Sequence, residues 1–209
     1  MPFAVQALPY FAALLAAAVV AGWLAGARLC VPLLALAGFI LFFFRDPARV
    51  SPDGEGLVVS PADGRVTEVE RRADGARISI FLSVFNCHIN RAPIAATVTS
   101  VAYTPGRFLP AWDRRVVSEN ERNHLALRAA DGDYGVTQIA GILARRIVCS
   151  KKPGETVLRG ERIGLIQFGS RTDLHLPPGV EPVVQVGDRV QGAVTVLARR
   201  AVQSRRAAS

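Results

Sequence analysis

Two neighbouring runs, LVVSPADGRVTEVE at residues 57–70 and RISIFLSVFNCHINR at residues 77–91, decide the fold. Each sets Val, Ile, Leu or Phe against polar residues in near alternation, the period-two pattern of a strand with one face buried. Both are bounded by Gly, Pro or Asp, which break strands and make turns. The same texture continues in ATVTSVAYTPG (96–106), HLALRAADGDYGVTQIAG (124–141) and RIGLIQFG (162–169). Long amphipathic helices are scarce, so residues 45–209 are expected to form one mainly β domain of ordinary size. A helix is expected only over part of residues 112–124, where charges and Asn cluster.

A weak internal echo joins GETVLRGERIGLI (154–166) to GDRVQGAVTVLA (187–198). Each reads Gly, an acidic residue, a spacer and Val, then a second Gly opening a strand. Glycines at such places permit the positive φ that tight hairpins require. The signature is similar to the turns of barrel-sandwich domains such as the lipoyl and biotinyl carriers, so a barrel-sandwich-like core is expected. A non-enzymatic carrier module is one reading of these turns. Such carriers present a lysine at an exposed hairpin tip, and neither Lys151 nor Lys152 stands in that setting.

Residues 1–44 have a different composition. Residues 8–27, LPYFAALLAAAVVAGWLAGA, carry no charge over 20 positions, enough to cross the hydrocarbon core of a bilayer. Arg28 interrupts, and residues 29–44, LCVPLLALAGFILFFF, follow; as a helix they would rise about 24 Å, somewhat short of the core thickness. A membrane-anchoring helical hairpin is expected, either spanning the bilayer or dipping into one leaflet. A cleaved signal peptide fits less well, because the n-region has no Lys or Arg and a second apolar segment follows at once. Arg45 and Arg49 directly after the hairpin place the domain at the cell membrane on the cytoplasmic side.

The net charge of +8 comes almost wholly from arginine. Such a balance suits an anionic partner, nucleic acid or acidic lipid, and the hairpin turns that choice toward an anionic membrane surface, with no nucleic acid. Cys30, Cys87 and Cys149 show no CxxC spacing, and His88, His124 and His175 form no HExxH or HxxxH arrangement; neither a disulfide framework nor a metal site is expected.

The sharpest local feature is Phe168-Gly169-Ser170-Arg171, directly after a strand-like run. A Gly-Ser pair alone is a common turn. Its companions give it weight: FFRDP (43–47), SPADGRV (60–66), FLSVFNCHINRAP (81–93), ENERN (119–123) and IGLIQFGSR (163–171) occur in that order. Together they resemble the short, archaeal-type form of the phosphatidylserine decarboxylase proenzyme family over nearly the whole chain.

The resemblance implies a pyruvoyl cofactor, covalently bound and made from an internal serine. Ser170 Oγ would attack the Gly169 carbonyl, and elimination would free residues 1–169. A pyruvoyl group would remain on a chain of residues 170–209, the two chains staying together as a heterodimer. Serine is required because its oxygen serves first as nucleophile and then as the leaving ester oxygen. In turnover the pyruvoyl ketone would form a Schiff base with the amine of phosphatidylserine and replace pyridoxal phosphate as electron sink. Related enzymes use an Asp/His/Ser arrangement. Here His88 is the candidate base and Asp63 its candidate orienting carboxylate. The longer bacterial form has a further His where this chain has Arg91. As ordinary structural residues, His88 is a half-buried strand histidine and Asp63 a turn former before Gly64; His124 and His175 are read as strand residues. A pyruvoyl decarboxylase of a soluble amino acid remains a rival. A Ser-His-Asp hydrolase is a second, although GxSxG is absent.

Overall fold

The computed structural model describes residues 3–109, 119–141, 146–167 and 170–200. The apolar N-terminal region forms α1 (Ala7–Ala25) and α2 (Ala27–Phe43), antiparallel and joined at Gly26, whose φ of 71° suits a residue without Cβ. Of the two, α1 is long and apolar enough to cross a membrane, whereas α2 is shorter. The hairpin has two different ends. Near the turn, Trp23 is 86% exposed, and Val19, Val20, Leu24, Leu29 and Val31 are exposed with it. At the base, Ala4, Ala7, Ile40, Phe43 and Phe44 are buried against Cys87, Ile89 and Leu165 of the β domain.

The rest of the chain is mainly β, as the alternation predicts. Its strands are β1 (Leu57–Val59), β2 (Gly64–Arg72), β3 (Gly75–Leu82), β4 (Ile89–Arg91), β5 (Ala96–Thr104), β6 (Arg122–Ala129) and β7 (Gly132–Ala140). There follow β8 (Ile147–Cys149), β9 (Thr156–Val157), β10 (Arg162–Ile166), β11 (Ser170–Leu176), β12 (Val180–Pro182), β13 (Arg189–Val190) and β14 (Val196–Arg200). An eight-stranded sheet in the order β13-β2-β3-β11-β7-β6-β5-β9 curls into a half-barrel, accompanied by two three-stranded sheets, β1-β14-β12 and β4-β10-β8. The main core contains Val66, Ile78, Ile80, Leu82, Leu125, Leu127, Val136, Ile163, Leu174 and Leu197.

The two echo turns occupy matching places. Gly154 and Gly187 take φ of 91° and 102°. The Val that follows each, Val157 in β9 and Val190 in β13, is buried. These strands form the two opposite edges of the large sheet. Gly75 opens β3 at φ 135°, and a Cβ there would run into the Leu176 carbonyl, so this hairpin accepts only glycine. Of the helix expected over part of residues 112–124, the described end is helical at Glu119. Arg122, Asn123 and His124 belong to β6, in register with Ile139, Gln138 and Thr137, and residues 110–118 lie outside the described residues. From Arg122 onward cross-strand pairing along a buried face sets the conformation.

The difference between the hairpin's ends gives a direct test. Phe43→Ala should destabilise the folded chain by about 3–5 kcal/mol, the usual range for a buried Phe. Trp23→Ala should stay within about 0.5 kcal/mol, as exposed positions usually do. Denaturant unfolding in detergent followed by circular dichroism distinguishes them, and equal effects would contradict this packing.

Candidate active site

Ser170 is the first residue of β11, a strand paired on both sides. Ser170 stands opposite Leu82 of β3 and Ala140 of β7. It is fully buried, and among the described residues its Oγ has no hydrogen-bond partner. A buried hydroxyl left unbonded costs about 1–3 kcal/mol, so it is a group retained for some use. The chain reaches it by changing sheets: β10 pairs with β4 and β8, and β11 belongs to the large sheet. Phe168 and Gly169, the expected cleavage position, lie in that crossing and outside the described residues.

His88 is placed beside the crossing. It immediately precedes β4, and its carbonyl accepts from the Ile166 N–H at the end of β10 (3.2 Å). Its ring is buried against Phe43, centroids 4.2 Å apart. Nδ1 lies 3.0 Å from the Asn86 carbonyl. A carbonyl only accepts, so Nδ1 carries the proton and Nε2 is the basic nitrogen. Burial, aided by the positive charge of Arg45, lowers the His88 pKa to about 4, against an opposing effect of the Asn86 carbonyl. The ring is therefore neutral at physiological pH.

Asp63 lies in the turn between β1 and β2. Its Oδ2 accepts from Arg49 (2.9 Å) and its Oδ1 from the Gly192 N–H (2.7 Å). The contact made to His88 Nδ1 comes from Asn86, within its own loop. The turn containing Asp63 meets β4 through backbone, the Arg91 N–H donating to the Pro61 carbonyl at 2.9 Å. Arg91 ties several motifs together, donating to Gly160 O, Pro47 O and the Asp46 carboxylate. Arg45 donates to Phe42 O and Phe85 O and covers the Phe42 ring at 3.9 Å. The FFRDP motif thus clamps the end of the hairpin to the loop before His88.

Sequence reading missed a buried amide ladder beside Ser170. Asn123 Nδ2 donates to Gln138 Oε1 (3.0 Å), Gln138 Nε2 to Asn90 Oδ1 (2.9 Å), and Asn90 Nδ2 to Thr172 Oγ1 (3.1 Å). Thr172 is two residues along β11 from Ser170, on the same face. The available signal was Asn123 and Gln138, amides at strand positions that alternation with Leu125 and Val136 assigns to the interior; Asn90, beside buried Ile89, gave none. His124 and His175 both contact Thr137 Oγ1, at 2.8 and 3.0 Å, and burial lowers both pKa values. By alternation along β11, His175 points to the face opposite Ser170. Alongside it on that face, Arg171 pairs with Asp173, Glu68 and Ser79.

Comparison with known proteins agrees with the motif order. The family model described as phosphatidylserine decarboxylase matches residues 36–198. A protein of Cereibacter sphaeroides named phosphatidylserine decarboxylase proenzyme is 52% identical, over 75% of this chain and 72% of its own. Proteins of the same name from Solibacter usitatus and Beijerinckia indica are 47% and 43% identical. They cover 91% and 95% of this chain, and 93% and 90% of their own.

The buried neutral histidine has a consequence for stability. The folded pKa of about 4 lies below the ordinary value of 6.5, so the unfolded chain binds the extra proton first. Stability from His88 is complete above pH 6.5 and falls as pH drops toward 4, by about 3 kcal/mol at most. Urea unfolding at pH 7 and pH 4.5 should show a smaller acid loss in His88→Gln than in the unsubstituted chain. An identical loss in both would show that His88 is not buried in neutral form.

Proposed function

The chain belongs to the phosphatidylserine decarboxylase family, enzymes that decarboxylate phosphatidylserine, and from this we propose that it cuts itself between Gly169 and Ser170 to make a covalent pyruvoyl group from Ser170. The carrying observation is the Ser170 hydroxyl, fully buried, unpartnered among the described residues and one residue from the carbonyl it would attack. Oγ adds to the Gly169 carbonyl carbon, the peptide C–N bond breaks, and an ester takes its place. Loss of the Ser170 Cα proton then expels the ester oxygen, leaving residue 169 with a carboxylate and residue 170 as dehydroalanine. Water releases ammonia from that residue and leaves the pyruvoyl group.

A base must take the hydroxyl proton, and His88 is suited to that role, being neutral, with Nδ1–H held by Asn86 and Nε2 basic. Asp63, bonded to Arg49 and Gly192, is a positioning residue that sets the turn against β4. When present, the pyruvoyl carbonyl supplies the sink for the electron pair left as carbon dioxide departs. His88 would return a proton to the substrate carbon. Residues 170–176 pair with β3 on one side and β7 on the other. These ladders support a lasting heterodimer of chains 1–169 and 170–209.

The hairpin is proposed to sit in the cell membrane with the domain on the cytoplasmic side. Support comes from the exposed apolar residues at its turn and from Arg45 and Arg49 at its exit. A lipid substrate gives that anchor its purpose, which favours this reading over a soluble amino acid.

Purified protein should show two polypeptides on a denaturing gel, with masses for 1–169 and 170–209, the shorter blocked to N-terminal sequencing. Ser170→Ala should remain uncut and inactive; an uncut chain with full activity would refute the pyruvoyl assignment. On the same gel His88→Ala should accumulate precursor, or cut and then turn over about 10²–10⁴-fold more slowly. Normal cutting with normal turnover would return His88 to a structural role. In a separate flotation assay, Trp23→Asp with Leu24→Asp should weaken association with liposomes, and unchanged flotation would mean that the hairpin turn does not insert.

A further inference from the structure

A cavity of about 630 Å³ borders the candidate site, sharing Asp63 and Asn86 with it, and its walls also include Arg65, Arg189, Ser83, Gln191 and Thr195. Arg65 of β2 and Arg189 of β13 stand directly opposite each other in antiparallel register. Like charges placed so repel, and among the described residues neither guanidinium has a carboxylate or hydrogen-bond partner. This is unlike Arg49, Arg77, Arg91 and Arg171, each of which meets an acid. The acid in this wall, Asp63, is already held by Arg49 and the Gly192 N–H. Neighbouring Asp188 accepts from the Gln185 N–H.

The neutral groups point the same way. Asn86 Oδ1 is taken by the Ser83 N–H and hydroxyl, which leaves its NH₂ to donate. Gln191 Oε1 is taken by Arg49, and Thr195 Oγ1 by the Gln191 N–H, leaving another amide NH₂ and a hydroxyl proton. The acceptors are used and the donors remain. A ligand for such a wall is anionic and accepts hydrogen bonds without donating, as a phosphodiester does.

The position fits the substrate. Arg65 is in register with Phe81 of β3, and Leu82, the next residue, is in register with Ser170. Arg65 is thus two strands from β11, about 10 Å between backbones, at the sheet end where β11 begins. It shares the face of Arg171, opposite that of Ser170, so a headgroup joining the two passes round the end of the sheet. Ser83 and Asn86 belong to the loop whose Asn86 carbonyl holds His88, and Arg45 at the hairpin exit binds that loop at Phe85.

We propose that this cavity is a phosphodiester subsite in which Arg65 and Arg189 hold the headgroup phosphate of the lipid substrate. The proposal rests on the chain acting on phosphatidylserine. The substrate's carboxylate is the wrong occupant, since two arginines would stabilise a charge that must vanish as carbon dioxide leaves, and so raise the barrier. The phosphate is unchanged from substrate to product.

The test uses full-length protein in detergent with dihexanoyl phosphatidylserine as dispersed monomers, following carbon dioxide release. Arg65→Gln and Arg189→Gln should each raise KM about 10–100-fold, the range for a lost charge-assisted hydrogen bond, with a much smaller effect on kcat. Lys at either position should restore part of the loss. Relief of the opposed charges should leave the melting temperature of lipid-free protein equal or higher. Should Arg65→Gln fail to fold, Arg189→Gln at the sheet edge carries the test alone. Unchanged KM in correctly processed single variants overturns the proposal. So does unchanged KM alongside weaker flotation on phosphatidylglycerol vesicles, which would make the arginines a general surface for acidic lipid. Stronger competition by inorganic phosphate than by glycerophosphoserine would overturn the lipid assignment. A wild-type chain that releases carbon dioxide while uncut would sink the self-cleavage reading and leave this subsite standing.

Discussion

Everything in the site depends on β11 being hydrogen-bonded on both sides from its first residue. A central strand has no freedom to slide, because one step of register would send Leu174 and Leu176 out of the core and Arg171 and Asp173 into it. Ser170 inherits that constraint. Its side chain must face inward, in a row between Leu82 and Ala140, where water does not reach it. Exposed, the same hydroxyl would be solvated and spend its proton on water. Buried without a partner among the described residues, it retains its hydrogen-bonding capacity for a group brought to it.

The surroundings show how a β domain holds such a hydroxyl without becoming unstable. The next inward-facing residue on β11, Thr172, is not apolar; it ends the ladder through Asn90, Gln138 and Asn123, in which each contact pairs a donor with an acceptor. A half-satisfied network here would cost more than an apolar core. The ladder joins β4, β6, β7 and β11, so it also links the small sheet carrying His88 to the large sheet carrying Ser170. Polar groups are placed where alignment between two sheets matters, and Ile78, Ile80 and Leu174 fill the interior farther along.

Much of this was legible in the sequence, because alternation and turn residues are local signals. The runs at 57–70 and 77–91 become strands, and the apolar N-terminal run becomes a helical hairpin. What escaped depends on partners far away in the chain. Asn123 is buried because Gln138 lies opposite it. Gly192, remote in sequence, supplies a backbone N–H to Asp63. Arg91 forms a structural tie to Asp46 and Gly160 that no local pattern announces. The opposed pair Arg65 and Arg189 likewise appears only once β13 is seen at the edge beside β2.

The hairpin does more than the anchoring proposed for it. Its last turn supplies Phe43, whose ring lies 4.2 Å from that of His88, and its exit supplies Arg45, whose charge adds to the desolvation that lowers the His88 pKa. The same arginine bonds Phe85 in the loop that carries Asn86, the acceptor for His88 Nδ1. The neutral, oriented state of the candidate base is therefore built partly from anchor residues. Without that cover the imidazole would be solvated and its pKa would move back toward 6.5, the value set by water. Anchor and site share one apolar cluster, Phe43 and Phe44 with Cys87, Ile89 and Leu165. The hairpin that would bring the enzyme to lipid is thus also part of the structure that keeps its base unprotonated.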